Sequence, residues 1–133
     1  MKSKVRGLDT DPITARIIGG AIDVHRDLGP GLLEHTYEVC LEATLRRRGL
    51  RVERQVAVPL RYLDIELDCA YRIDMLVEKE VVVELKVAQQ LTPIHVSQVL
   101  SYLRLADLHV GLLFNFNVEV LAAGGWKRVL RTK

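Results

Sequence analysis

Residues 71–87, YRIDMLVEKEVVVELKV, decide the fold, because two apolar runs flank the charged triplet Glu78-Lys79-Glu80. Ile73, Met75 and Val77 in the first run, and Val81, Val83, Leu85 and Val87 in the second, recur with the period of a strand. With the triplet as the loop, an antiparallel hairpin sets Val77 against Val81, Met75 against Val83 and Ile73 against Leu85, gathering the apolar side chains on one face. A register slipped by one residue would mix the faces. Asp74 then stands opposite Glu84 on the other face, with Lys86 beside Glu84, since residues two apart in a strand point the same way. Leu76, Val82 and Ala88 share that second face, so it too should be covered.

Two carboxylates held face to face need compensation. Facing like charges cost roughly 0.2–1 kcal/mol on an open sheet, and more where water is scarce. A hard divalent cation, which takes oxygen ligands, would relieve the pair. A metal-free Asp74/Glu84/Lys86 network, in which the ammonium neutralises one acid, would do so as well.

At 133 residues, with 49% hydrophobic and 27% charged residues, the whole chain, 1–133, is expected to form a single globular domain. Aromatic residues make up only 5%, so aliphatic packing must supply most of the burial. A net charge of +2 argues neither for nor against nucleic acid, and local distribution has to decide. Arg46, Arg47, Arg48, Arg51 and Arg54 form one basic group and Lys127, Arg128, Arg131 and Lys133 another, both read first as solvated faces. Cys40 and Cys69 lack metal-ligand spacing and read as buried thiols. No apolar stretch follows the basic residues 1–6 or reaches membrane-spanning length, so a cytoplasmic protein without membrane contact is expected.

Thr10-Asp11-Pro12 marks a helix start, and Ile13, Ile17, Ala21, Val24 and Leu28 continue at helical spacing. His25 lies near this stripe and reads as a packed core residue. Gly29-Pro30-Gly31 breaks the chain, and a second helix is expected over about 32–48, closed by Gly49. Its buried stripe is Leu33, Tyr37, Leu41 and Leu45, and Glu34 projects between Tyr37 and Leu45. Either an acid is aimed inward there, or a first-turn carboxylate favours the helix dipole by about 0.3–1 kcal/mol. Glu38 and Glu42 are expected further round, toward solvent. Residues 51–62 read as a strand that Pro59 places at an edge. Strands at 65–77 and 81–87 follow, then a third helix opened by Thr92-Pro93, with Val96, Val99, Leu100 and Leu103 inward. Gln98 and Tyr102, four apart, stack one turn above the other on its flank. A strand at 109–114, a turn at 115–117 and a last strand at 126–130 complete the chain, with Trp126 as a core or edge plug. Glycine-rich phosphate loops, GxSxG and HExxH are absent from the sequence.

The order helix, three strands, helix, strand, with Asp74 on the second strand and Glu84-Leu85-Lys86 on the third, resembles the PD-(D/E)XK nuclease superfamily. Within it, Gly31-Leu32-Leu33-Glu34-His35-Thr36-Tyr37 fits the signature of the GxxExxY family, and Gln98 with Tyr102 reproduces the QxxxY element of the RecB-like branch. The proline-aspartate of the superfamily name is here Ile73-Asp74, which keeps the carboxylate. The resemblance implies an α/β restriction-endonuclease-like core (α-βββ-α-β), a mixed central sheet flanked by helices, with an additional N-terminal helix. It also implies a metal-dependent nuclease acting on nucleic acid, with DNA expected, and leaving a 5′-phosphate and a 3′-hydroxyl. Asp74 and Glu84 would be the primary ligands of magnesium or manganese with the Leu85 carbonyl, and Glu34 a further or water-mediated ligand. Lys86 would orient the attacking water, and Gln98 and Tyr102 would hold the ligand shell or the substrate phosphate. Two alternatives stay open: a structure-selective endonuclease working as a homodimer, and a module that binds nucleic acid or protein without cleaving.

Overall fold

The computed structural model describes residues 12–132, and at 69 and 70 the backbone alone. Helices α1 (Pro12–Leu28) and α2 (Glu34–Arg47) lead into strands β1 (Val52–Tyr62), β2 (Ile65–Val77) and β3 (Val81–Lys86). Helix α3 (Pro93–Ala106) follows, then β4 (Val110–Asn115) and β5 (Trp126–Leu130). The expected cap residues Thr10 and Asp11 lie outside the described residues. The strands lie in the order β1-β2-β3-β4-β5, antiparallel except for β3 and β4, which run parallel. Helix α3 is the crossover that a parallel pair requires. This is the restriction-endonuclease-like α/β core with a mixed sheet and an extra helix, α1, ahead of it. Pro59 falls where β1 slips register against β2, between Val58 and Leu60, on the sheet edge where a residue without an N–H is tolerated.

The hairpin keeps the expected register as far as Val77 against Val81 and Met75 against Val83. Its turn uses two non-glycine residues of left-handed conformation, Glu78 (φ 54°) and Lys79 (φ 55°), which are ordinarily disfavoured. Arg51 offsets that cost, because its backbone N–H donates to the Glu78 carboxylate at 2.7 Å and its guanidinium pairs with the same group at 3.0 Å.

Two cores sandwich the sheet. On one side α1 and α2 bring Ile17, Ala21, Tyr37, Leu41 and Leu45 against Met75, Val77, Val83, Leu85 and Phe114. On the other, α3 sets Val99, Tyr102 and Leu103 against Val58, Val82 and Leu113. Strand β3, buried from Val81 to Leu85, serves both. Ile73 corrects the sequence reading, since it packs in the second core and not beside Met75 and Val77. β1 changes sides at the same level: Val52 belongs to the first core, whereas Val56 and Val58 face the second. Gln55, between the pairs Arg54–Met75 and Val56–Ile73, carries the irregularity as a left-handed residue (φ 56°). Asp74 therefore sits where the strand crosses from one core to the other. Glu38 is a second correction: it is buried, because Arg54 (3.1 Å) and Gln55 (2.9 Å) close over its carboxylate. Cys40 is half-buried, less than a core thiol, and the Cys69 side chain lies outside the described set.

The loop before α2 is held by its own helix. The Tyr37 hydroxyl donates to the Gly29 carbonyl at 2.6 Å and accepts from the Leu32 N–H at 3.1 Å, while its ring stacks on Phe116 at 4.5 Å. Gly29 (φ 73°) and Gly31 (φ 101°) supply the left-handed backbone this return needs. Tyr37→Phe keeps the stack but removes both bonds, so urea unfolding should show a loss of about 1 kcal/mol. A variant as stable as the parent would show that the hydroxyl does not hold the loop.

Candidate active site

Beyond Met75 and Val83 the β2–β3 ladder stops, and side chains take over from backbone carbonyls. The Asp74 N–H donates to Glu84 Oε2 at 2.8 Å, and the Leu85 N–H donates to Asp74 Oδ2 at 2.9 Å. Each carboxylate thus accepts a backbone N–H from the other's strand. The strands can part without orphaning buried donors, and the two acids are locked in place by the opening they create. Lys86 follows on β3, and its ammonium donates to Gln98 Oε1 at 2.8 Å across the gap to α3. Tyr102, one turn further along α3, is the neighbour of Gln98, and of the two it is Gln98 that holds the lysine head.

The end of β3 is fixed from behind. Asn115, 2% exposed, accepts from the Ala88 N–H at 3.1 Å and donates to the Ala88 carbonyl at 3.0 Å, and the Phe116 N–H donates to the Lys86 carbonyl at 2.9 Å. The sequence reading placed Asn115 in a turn and gave it no role; its only signal was an amide at the end of an apolar strand. Glu38 was missed too, because its cover comes from Arg54 and Gln55, a contact no local pattern announces.

Electrostatics follow from burial. Glu84 is 2% exposed, and loss of water, then the neighbouring Asp74 charge, pushes its carboxyl from an ordinary 4.5 up to about 9. Asp74 is raised in the same way, chiefly by burial, although the Leu85 N–H and the Lys86 charge oppose the shift. Burial and the charges of Glu84 and Asp74 also raise the Tyr102 hydroxyl. Near neutral pH Glu84 therefore keeps its proton beside Asp74, an arrangement that invites added positive charge. The donor set fits a hard divalent cation, which would displace the proton that Glu84 retains; Asp74, Glu84 and the Leu85 carbonyl would hold it.

Glu34 stands apart from that pair. It is the first residue of α2, exposed, and raised by partial burial and then by Asp74, with Lys86 acting the other way. Its field reaches the centre, yet among the described residues no three His, Cys, Asp or Glu side chains form a ready metal cluster. Asp74, Glu84, Lys86, Gln98 and Tyr102 are thus brought together, and Glu34 acts on Asp74 and Lys86 only through its charge.

The first basic group is largely spent within the chain. Arg46 pairs with Glu42, Arg48 with Asp23, Arg51 with Glu78, and Arg54 with Glu38 and Glu42. In the second, Arg131 pairs with Asp107 at 3.2 Å. Among the described residues no helix is long and apolar enough to cross a membrane.

A mixed sheet with helices on both faces, carrying an aspartate and a Glu-x-Lys motif on adjacent parting strands, defines a restriction-endonuclease-like domain with a carboxylate–lysine centre. The chain belongs to the PD-(D/E)XK nuclease superfamily, whose family model matches residues 11–129. Comparison with curated proteins and with solved structures gave no match. Nucleases of this superfamily generally use divalent metals and act on nucleic acid.

The raised Glu84 carboxyl has a consequence for stability. Between pH 4.5 and about 9 the folded chain holds a proton that the unfolded chain has released, so this group's contribution to stability falls as pH rises through that window. Glu84→Gln copies the protonated form. In chelator its stability relative to the parent should climb from pH 5 to pH 9, by at most about 1.4 kcal/mol per pH unit. A pH-independent difference in urea unfolding would show that Glu84 is ionised in the folded chain.

Proposed function

We propose that the protein is a metal-dependent nuclease that hydrolyses phosphodiester bonds of DNA. The reciprocal lock of Asp74 and Glu84 at the parted strands, with Lys86 fixed beside it, is the observation that carries this reading. Magnesium or manganese, when bound, supplies a nucleophilic water near neutral pH and neutralises charge developing on the phosphoryl oxygens. Asp74, Glu84 and the Leu85 carbonyl hold the ion, and their fixed backbone contacts mean that little reorganisation accompanies its entry. Lys86 orients the attacking water through its ammonium. Gln98 restrains that ammonium, with Tyr102 as its neighbour on α3, so the glutamine of the QxxxY pair positions the lysine. Glu34, at the positive end of α2 and within the field of Asp74, acts through a bridging water at the rim. The Gly31-to-Tyr37 signature shared with the GxxExxY family then has a physical division of labour: the glycine turns the chain, Tyr37 ties the turn to the helix, and Glu34 adds its charge to the field of the centre.

A cleavage assay on single-stranded, duplex and branched DNA and RNA, with and without manganese, tests the proposal. Metal-dependent cutting that Lys86→Ala lowers by about 100-fold or more is expected, the scale for removing one charge-stabilising group. Cutting by Lys86→Ala at the parent rate would exclude this centre as its source.

Glu34→Gln separates an acid that serves the site from one that serves only the helix. A dipole contribution is worth at most about 1 kcal/mol and leaves turnover alone, whereas loss of a water-holding group should cost about 10-fold to 100-fold in single-turnover rate at an unchanged melting temperature. Normal cleavage by this variant would return Glu34 to the helix terminus.

A further inference from the structure

Beside the carboxylates, the β1–β2 hairpin and α3 enclose a groove of about 280 Å³. Leu60 and Tyr71 form one wall. Ser101, Tyr102 and Leu105 form the other, continuing the α3 face that begins at Gln98, with Arg104 at the rim. The groove opens from the catalytic centre, since Gln98 at its near end holds Lys86 and the Tyr102 hydroxyl lies within the field of Glu84 and Asp74. Tyr71 is 44% exposed, an aromatic face the fold leaves uncovered, and its phenol is close enough to Tyr102 to act on it. Pockets for drug-sized ligands run to roughly 300–1,000 Å³, so this one has room for a single ring system and little more.

We propose, taking the nuclease reading as its basis, that this groove seats an unpaired base next to the scissile phosphate, and that single-stranded nucleic acid is the preferred substrate. Its walls offer what a base face seeks, aromatic and aliphatic surface with a hydroxyl and a guanidinium at the edge. Stacking of this kind is worth about 1–3 kcal/mol per base and tolerates any sequence. A base within a duplex can reach the groove only by leaving its stack, at a cost of a few kcal/mol. Charge points the same way. With Arg46, Arg48, Arg51 and Arg54 paired inside the chain, that basic group has less free charge to offer a duplex backbone, so stacking carries more of the hold and the salt dependence is shallow.

Fluorescence anisotropy in chelator, where no strand is cut, tests this without relying on cleavage. The probes are a labelled single strand of about 12 nucleotides, the same strand as a duplex, and a set carrying one abasic position each. The single strand should bind the parent at least about tenfold more tightly than the duplex, and one abasic position should cost most of that preference. Tyr71→Ala, which removes a wall, and Ser101→Phe, which fills the groove, should each weaken single-strand binding about tenfold at unchanged melting temperature. Equal affinity for strand and duplex, or indifference to all the abasic positions, would overturn the proposal without any variant having to fold. So would a homodimer in sedimentation that Ser101→Phe dissociates, because the groove would then be taken by protein. Single-strand preference without metal-dependent cutting would leave the groove assignment standing and remove the nuclease reading; cutting of duplex that both variants leave untouched would do the reverse.

Discussion

The structure depends on one exchange of hydrogen bonds, in which the Glu84 carboxylate accepts the Asp74 N–H and the Asp74 carboxylate accepts the N–H of Leu85, the residue after Glu84 on the neighbouring strand. A regular ladder would have paired those donors with carbonyls and kept the strands together. Carboxylates in their place let β2 and β3 part, and the parting lets β2 cross from the core under α2 to the core under α3. Fold and site are therefore one feature. The sheet has to open between these residues for the acids to converge, and the acids satisfy the donors that the opening exposes. The cost is a buried pair of acids, and the raised Glu84 carboxyl is its electrostatic signature.

What holds this arrangement from behind is a single aromatic residue. Phe116 donates its N–H to the Lys86 carbonyl, stacks its ring on Tyr37 and takes His25 on its own carbonyl at 3.1 Å. A carbonyl only accepts, so His25 Nε2 carries the proton, and α1 is tied to the strand that bears the site. Through Tyr37 the same residue reaches the loop that precedes Glu34. Asn115 completes the brace by clamping Ala88, the residue at which the chain leaves β3 for the loop before α3. Helices, loop and the strand that bears the candidate site are thus referred to one point, which is how a small domain can keep five polar side chains from separate elements in register.

Much of this was legible in the order of residues. Period-two alternation on both sides of Glu78-Lys79-Glu80 dictated the hairpin and its register, because any slip would have mixed the two faces. Pro59 marked the edge strand and Thr92-Pro93 the start of α3 for stereochemical reasons that hold wherever those residues occur. The illegible parts were contacts between distant segments. Ile73 has the parity of Met75, and only the opening at Asp74 and the left-handed Gln55 send it to the other core. Glu38 looked solvent-facing because a helical wheel knows nothing of Arg54 and Gln55, which fold over it. Asn115 and Phe116 matter through partners in β3, α1 and α2 that share no local pattern with them. Gln98 and Tyr102 were recognised as a pair, but that Gln98 restrains Lys86 depends on the distance across the gap.

The central claim, that Asp74 and Glu84 form a proton-bearing pair made for a divalent cation, is tested most directly by calorimetric titration of manganese at neutral pH. Titrations run in two buffers of different ionisation enthalpy also count the protons released. The parent should bind one ion and release close to one proton from Glu84, and Asp74→Asn should lose most of that affinity. Equal manganese affinity in parent and variant, or binding with no proton released, would contradict the account.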